Sequence, residues 1–281
     1  MLSGVLWVDA SLIGFLGLLI GSFLNVVVHR LPKMMERQWE RECAELSGKE
    51  LTVAEPFNLM VPRSRCPHCG HHIHWYENIP VLSYMALRGA CSSCKAPISV
   101  RYPLVELATG GLFFFCIWQE GSSMAGYVAC VFSACLLTLA LIDWDTTLLP
   151  DDLTLPLLWL GLISAALQWI PVSLHASLWG AIAGYMSLWL IYWTFKLMTG
   201  KDGMGYGDFK LFAALGAWFG WQTLIPIILI ASVIGAAVGL VLKVNNQLRE
   251  GGYVPFGPFL AGAGFSALIF GPSALRQMVG L

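Results

Sequence analysis

Eight apolar runs, each near the length of a bilayer crossing, leave few folds open to this chain. They are Ser11–Val28, Pro103–Trp118, Ala125–Ile142, Leu153–Ile170, Leu174–Phe195, Phe209–Trp221, Thr223–Leu242 and Val254–Phe270. A hydrocarbon core about 30 Å thick is crossed by roughly 20 apolar residues of helix. Lipid offers no partners to backbone N–H and C=O groups, so such runs cross as helices, which satisfy them internally. The predicted fold class is all-α: a polytopic membrane protein with about eight transmembrane helices. Only 12% of the 281 residues are Asp, Glu, Lys or Arg, about half the usual share of a soluble domain. The twelve Trp suit a chain with two membrane interfaces, where indole rings collect. A net charge of -1 supplies no basic field, so nucleic acid is not an expected partner and membrane lipid is.

Between the first two runs lies a polar insert, Arg30 to Tyr102, the one stretch long enough to fold outside the bilayer. The reading divides the chain into a first span (1–29), a cytoplasmic insert (30–102) and a seven-span domain (103–281). No Lys or Arg precedes the first run, whereas a cleaved secretory signal carries its positive charge at the front. That run is therefore expected to be a retained span with its N-terminus outside. Alternating from there puts Arg30–Tyr102, Asp143–Asp152, Lys196–Asp208 and Lys243–Tyr253 in the cytoplasm. Counting Lys210, two residues past the third segment, they carry 15 of the 16 Lys and Arg, with Arg276 the exception. Positive charge is retained on the cytoplasmic side. The shorter loops agree without the insert, through Lys196, Lys201, Lys210, Lys243 and Arg249.

This topology brings Asp143 and Asp208 to one side of the membrane at similar depth. Asp143 ends the third run; Asp208 opens the sixth, after Gly203-Met-Gly-Tyr-Gly207. A carboxylate joined to an apolar span is costly unless paired or wet. Glycines before it let backbone, or an extended substrate, come close. The sixth run has 13 residues, roughly 20 Å of helix, so the glycine-rich loop is expected to dip toward a cytoplasm-facing cavity. Two carboxylates in one such cavity share a proton. The ionised one takes a proton from water and the protonated one polarises a carbonyl, which is the machinery of aspartyl proteolysis. The plainer reading makes them helix caps or interface aspartates; Asp151 and Asp152, just before the fourth run, are expected to be N-terminal caps.

Of eight cysteines, Cys116, Cys130 and Cys135 lie in apolar runs as packing residues, and Cys43 is isolated. The other four form Cys66-Pro-His-Cys69 and Cys91-Ser-Ser-Cys94. Two C-x2-C pairs complete a tetrahedron of thiolates, so Cys66, Cys69, Cys91 and Cys94 are predicted to hold a structural zinc. His68, His71, His72 and His74 are nearby alternatives, though solvated loop histidines are the simpler reading. With few apolar residues in the insert, metal would supply much of its folding energy.

Taken together these residues resemble the type IV prepilin peptidases. Gly21-Ser-Phe-Leu-Asn-Val-Val-Val-His-Arg-Leu-Pro32 is similar to the family's N-terminal signature. Glu77-Asn-Ile-Pro-Val-Leu-Ser-Tyr84, Leu87-Arg-Gly-Ala-Cys91 and Arg101-Tyr-Pro-Leu-Val-Glu106 are similar to its insert. Gly205-Tyr-Gly-Asp208-Phe-Lys210 and Pro255-Phe-Gly-Pro258 complete the pattern. The family's first aspartate stands seven residues before a proline, which favours Asp143, before Pro150, over Asp145. The resemblance implies a bacterial inner-membrane enzyme with Asp143 and Asp208 catalytic. It implies cleavage of the basic leader of type IV prepilins and type II secretion pseudopilins after a glycine, at the cytoplasmic face. It further implies N-methylation of the new N-terminal residue with S-adenosylmethionine. No Gly-rich dinucleotide fingerprint marks that cofactor's site; Glu77, Asn78, Arg88 and Gly89 in the insert are the candidates, with Glu77 equally a structural ion-pair partner.

Other readings remain open at this point. Presenilin-like proteases share a Gly-x-Gly-Asp site but lack a four-cysteine insert. A carboxylate-pair transporter calls for inverted repeats and carboxylates nearer mid-span. A non-enzymatic assembly scaffold with a zinc clip needs neither aspartate for chemistry.

Overall fold

The structure, a computed structural model, describes residues 4–48, 56–246 and 254–280; Arg249, used in the charge argument, lies outside them. Its helices are α1 (Leu6–Leu46), α2 (Leu82–Ala86), α3 (Arg101–Glu120), α4 (Met124–Thr146), α5 (Asp151–Ala166), α6 (Leu174–Thr199), α7 (Tyr206–Phe219), α8 (Leu224–Val244), α9 (Gly257–Phe270) and α10 (Pro272–Met278). No strand occurs among the described residues. Each of the eight apolar runs overlaps one helix. Four helical stretches are long and apolar enough to cross a membrane: α1, α4, α6 and Trp221–Val244. A fifth arises when α9 and α10, bent by 110°, count as one. Fourteen residues in α7 and sixteen in α5 make roughly 21 and 24 Å of helix, short of the hydrocarbon thickness. The protein is thus an all-helical membrane protein with four to five apolar spans by length and composition.

Helix α1 differs from the expected first span. It does not stop near Val28 but continues through Pro32 to Leu46, 41 residues in all. The continuation Lys33–Leu46 is rich in Met, Glu, Arg, Gln and Ala, which favour helix without needing burial. The polar insert therefore begins inside a helix. Asp151 and Asp152 also differ from expectation. Pro150 occupies the N-cap of α5, and the two aspartates sit in its first turn, because the Pro150 carbonyl already accepts from Leu153 and Thr154 N–H. They face the helix dipole rather than capping by side chain.

The chain divides into two compact units, Met1–Ala134 and Cys135–Leu281, the division falling within α4. In the first, α1 packs along α3 through a stripe of small residues. A Cβ added at Gly21 would lie 2.7 Å from Glu106 Cα, so the two backbones touch as membrane helices do when small residues face each other. In the second, α7 is apolar around its circumference and buried from Asp208 to Phe219, except Lys210, packed by α5, α6 and α9. An all-round apolar helix is a central one. Its position fixes Asp208, in its first turn.

Candidate functional site

Asp143 lies in the last turn of α4 and Asp208 in the first turn of α7. Sixty-five residues apart in sequence, they lie in the same compact unit, near enough for their charges to interact. Both are buried, at 4% and 7% exposure. Their surroundings differ. Asp143 Oδ2 accepts the backbone N–H of Gly257 at 2.9 Å, in a buried bond spanning 114 residues. Asp208 Oδ1 is buried with no hydrogen-bond partner. The contact with Gly257 is close enough that a Cβ there would fall 2.5 Å from Asp143 Oδ2. The other acids nearby in sequence are exposed: Asp145, Asp152 and Asp151, the last held by Lys210 Nζ at 2.7 Å.

In the first unit, Cys66, Cys69, Cys91 and Cys94 converge, their sulfurs all within 4.8 Å of one another. Two similar turns present them. Cys66 O accepts Gly70 N–H at 2.9 Å and Cys91 O accepts Lys95 N–H at 3.1 Å. Gly70 and Lys95 take φ of 72° and 60°, which folds each chain back beneath its sulfurs. Backbone N–H groups of Cys69 and His68 pull the Cys66 thiol down to about 7, and the thiolate is the form that binds metal. Four soft donors at tetrahedral spacing suit zinc.

The same unit encloses a cavity of about 610 Å³, within the range of small-molecule sites. It lies between the cysteine turns and the facing parts of α1 and α3. Glu77 and Asn78 line it; Arg88 and Gly89 do not. Those two form the positive-φ turn after α2, where Gly89 packs against the Tyr84 ring and its carbonyl accepts Ile98 N–H at 2.7 Å. Glu77 Oε2 accepts His74 N–H at 2.8 Å and lies 3.4 Å from His71 Nε2. The Ser92 hydroxyl and His74 N–H hold its carboxyl below the usual carboxylate range. Glu77 thus caps the short helical turn Trp75–Asn78, and the carboxylate in that role is anchored.

One residue of the paired-aspartate site, Gly257, is not singled out by residue chemistry, because it carries no side chain to notice. Its one signal is the segment Pro255–Pro258, which enters through resemblance alone.

Residues 15–120 match the Bacterial Peptidase A24 N-terminal domain and residues 130–240 match the Type IV leader peptidase family. A prepilin leader peptidase/N-methyltransferase of Stutzerimonas stutzeri is 54% identical over 259 residues, covering 91% of this chain and 89% of its own. A protein of the same name from Pseudomonas putida is 54% identical over 258 residues, covering 91% and 88%. One from Aeromonas hydrophila is 50% identical over 275 residues, covering 97% and 94%. No solved structure matches the chain. With half of its residues shared along nearly its whole length, and both paired aspartates inside the part matched by the peptidase family, the chain is a membrane peptidase and belongs to the type IV leader peptidase family.

Proposed function

We propose that this enzyme cuts the basic leader from type IV prepilins and type II secretion pseudopilins after a glycine, using Asp143 and Asp208, and then N-methylates the new N-terminal residue with S-adenosylmethionine. The observation that carries the proteolytic reading is the asymmetric pair: two buried carboxylates together, one holding a backbone N–H and one with an unsatisfied oxygen. Two charges cannot easily coexist there, so the pair holds one proton. Asp143, whose anion accepts the Gly257 N–H, is assigned as the base. Asp208 is assigned the proton, which gives it a donor aimed at the scissile carbonyl. Asp143 takes a proton from water as the water oxygen adds to the carbonyl carbon, and Asp208 passes its proton to the carbonyl oxygen. On collapse of the tetrahedral diol the proton on Asp143 passes to the leaving nitrogen as the C–N bond breaks, and a diol hydroxyl returns its proton to Asp208, which restores the singly protonated pair.

About eight helices in the membrane, an outside N-terminus, and cytoplasmic cysteine turns and carboxylates complete the reading, in the bacterial inner membrane. Its divisions are a first span (1–29), an insert (30–102) and a seven-span peptidase domain (103–281). The charge bias and the helical state of every apolar run support this. Cys66, Cys69, Cys91 and Cys94 would hold zinc as a structural clip. S-adenosylmethionine supplies an electrophilic methyl group. The first unit's cavity fits such a group in size, and it has polar walls in Glu77 and Asn78 and aromatic ones in Tyr84 and Tyr102. In this arrangement Glu77 holds the wall in shape, Arg88 and Gly89 set the turn behind it, and the polar walls orient a water-soluble ligand.

Purified protein in detergent, mixed with a prepilin and methyl-labelled S-adenosylmethionine, should give a shortened product carrying label. An unshifted prepilin would overturn the proteolytic reading. The two activities should also separate. Asp143→Asn and Asp208→Asn should still methylate a synthetic mature N-terminus, while Arg88 and Gly89 substitutions should weaken methylation more than cleavage. Parallel loss of both activities in all these variants would refute two separate sites.

For the metal, one zinc per chain is expected by elemental analysis. Cys66→Ser with Cys69→Ser should release it and make the insert markedly more sensitive to protease, since coordination there is folding free energy. Full zinc occupancy in the double variant would exclude this ligand set.

A further inference from the structure

The loop that leads into Asp208 is clamped at both ends by one buried side chain. Gly203, Met204 and Gly205 join α6 to α7, and both glycines are exposed. Gly205 is extended, with φ -80° and ψ 149°. Among the described residues, the N–H groups of Gly203, Met204 and Gly205 have no acceptor, so they are open to the backbone of an extended peptide. Just before this stretch, Asp202 Oδ1 accepts the Tyr192 hydroxyl at 2.6 Å and lies 2.7 Å from Lys196 Nζ. Lys196 Nζ also donates to the Tyr192 oxygen at 3.0 Å. Just after it, the Tyr192 ring packs on Tyr206 and Phe209, which flank Asp208, with centroids 5.3 and 5.7 Å apart.

Tyr192 stands in α6 and is 4% exposed. The Lys196–Asp202 pair is largely solvated, and such pairs contribute little. The phenol-to-carboxylate bond is short and charge-assisted, which makes it the stronger tie. Helix α7 does not need it, because its backbone already touches α6: a Cβ at Gly184 would lie 2.7 Å from the Phe212 carbonyl oxygen. The hydroxyl therefore acts on the upstream end of the loop and not on the seat of Asp208. A stretch with two glycines has many conformations to lose. Fixing its ends beforehand spares a bound peptide that ordering cost.

We propose that Tyr192 is a positioning residue for the substrate: through Asp202 and Tyr206 it holds Gly203–Gly205 as a preformed extended edge, along which the peptide to be cut lies beside Asp208. The proposal rests on the proteolytic reading above and deepens it. Its consequence is that the hydroxyl serves binding of the peptide, whereas the carboxylates serve the chemistry.

The test is steady-state cleavage of a purified prepilin by the full-length protein in detergent, with thermal unfolding measured in parallel. Tyr192→Phe keeps the ring on Tyr206 and Phe209 but releases Asp202. KM should rise about 10-fold, the scale of a hydrogen bond to a charged group, with kcat close to wild type. Asp202→Ala should do the same, and the double variant should be no worse than either single change, because both remove one interaction. Asp202→Asn keeps an acceptor for the hydroxyl and should recover most of the loss. Lys201→Gln, an exposed neighbour, should match wild type. Wild-type KM in Tyr192→Phe, or KM increases that add in the double variant, would overturn the proposal. So would a fall in kcat or in unfolding temperature with KM unchanged, since the tyrosine would then hold Asp208 or the fold and not the peptide. Failure of the parent reading looks different: wild type itself would leave the prepilin uncut.

Discussion

Asp143→Asn and Asp208→Asn should each lower leader cleavage by roughly 10³-fold or more, the scale of a positioned acid or base, in protein that still folds and inserts. Each substitution is nearly isosteric. The amide placed at position 143 would keep an oxygen for the Gly257 N–H but could not take a proton from water. The amide placed at position 208 would remove the dissociable proton from a carboxyl whose Oδ1 has no hydrogen-bond partner. The losses should not add in the double variant, because either change alone disables the pair. Asp145→Asn and Asp151→Asn are the controls. Both side chains are exposed, and the Asp151–Lys210 pair, with side chains 52% and 28% exposed, is the kind of surface bridge that contributes little. Both variants should retain substantial activity. Initial rates on a purified prepilin, with thermal unfolding measured in parallel, decide the matter. Activity in Asp143→Asn with none in Asp145→Asn would show that the wrong aspartate has been chosen.

Gly257→Ala should be nearly as damaging, although it adds one methyl group and touches no titratable side chain in sequence. The backbone at Gly257 is outside the positive-φ region, so alanine suits its conformation. The added Cβ, however, would lie 2.5 Å from Asp143 Oδ2 and 3.1 Å from its Cγ, so the carboxylate has to move. A displacement of about 1 Å at a reacting group costs on the order of 10²-fold in rate. The expected result is a fall of that size in kcat with KM little changed, since the displaced group is a reacting carboxylate. A shifted pH–rate profile should accompany it, because the N–H that holds the Asp143 anion is displaced. Wild-type kcat in Gly257→Ala would mean that this contact does not position the carboxylate. A large fall in unfolding temperature with proportionate loss of active protein would assign Gly257 to packing instead.

Much of the architecture was legible in the chain itself, for a physical reason. Lipid forces apolar runs into helices whatever their neighbours do, so Leu174–Phe195 or Thr223–Leu242 could be read locally and found as α6 and α8. The C-x2-C spacing is likewise local: each turn brings its own two sulfurs together, and the structure adds only the meeting of the turns. The end of α1 was less legible, because the apolar pattern stops at the bilayer edge while helix propensity continues through Lys33–Leu46. By length and composition four to five helical stretches can cross on their own, whereas α5 and α7 are short and α7 is buried among other helices, so run length alone does not fix the number that cross.

What the sequence determined by itself is the class of molecule and its chemically loaded residues: a membrane-embedded helical chain, a four-thiol insert, and acidic residues at the ends of apolar helices. Only the tertiary structure decided how those residues act on one another. Asp143, Asp208 and Gly257 come from three helices, and a backbone N–H leaves no trace in side-chain chemistry, so the asymmetry of the carboxylate pair is invisible until α4, α7 and α9 are packed. Glu106 likewise comes to line the first unit's cavity only when α1 packs against α3 at Gly21. Local propensities and solvent choose the elements, whereas burial and the distances between elements set the charge and reach of each side chain.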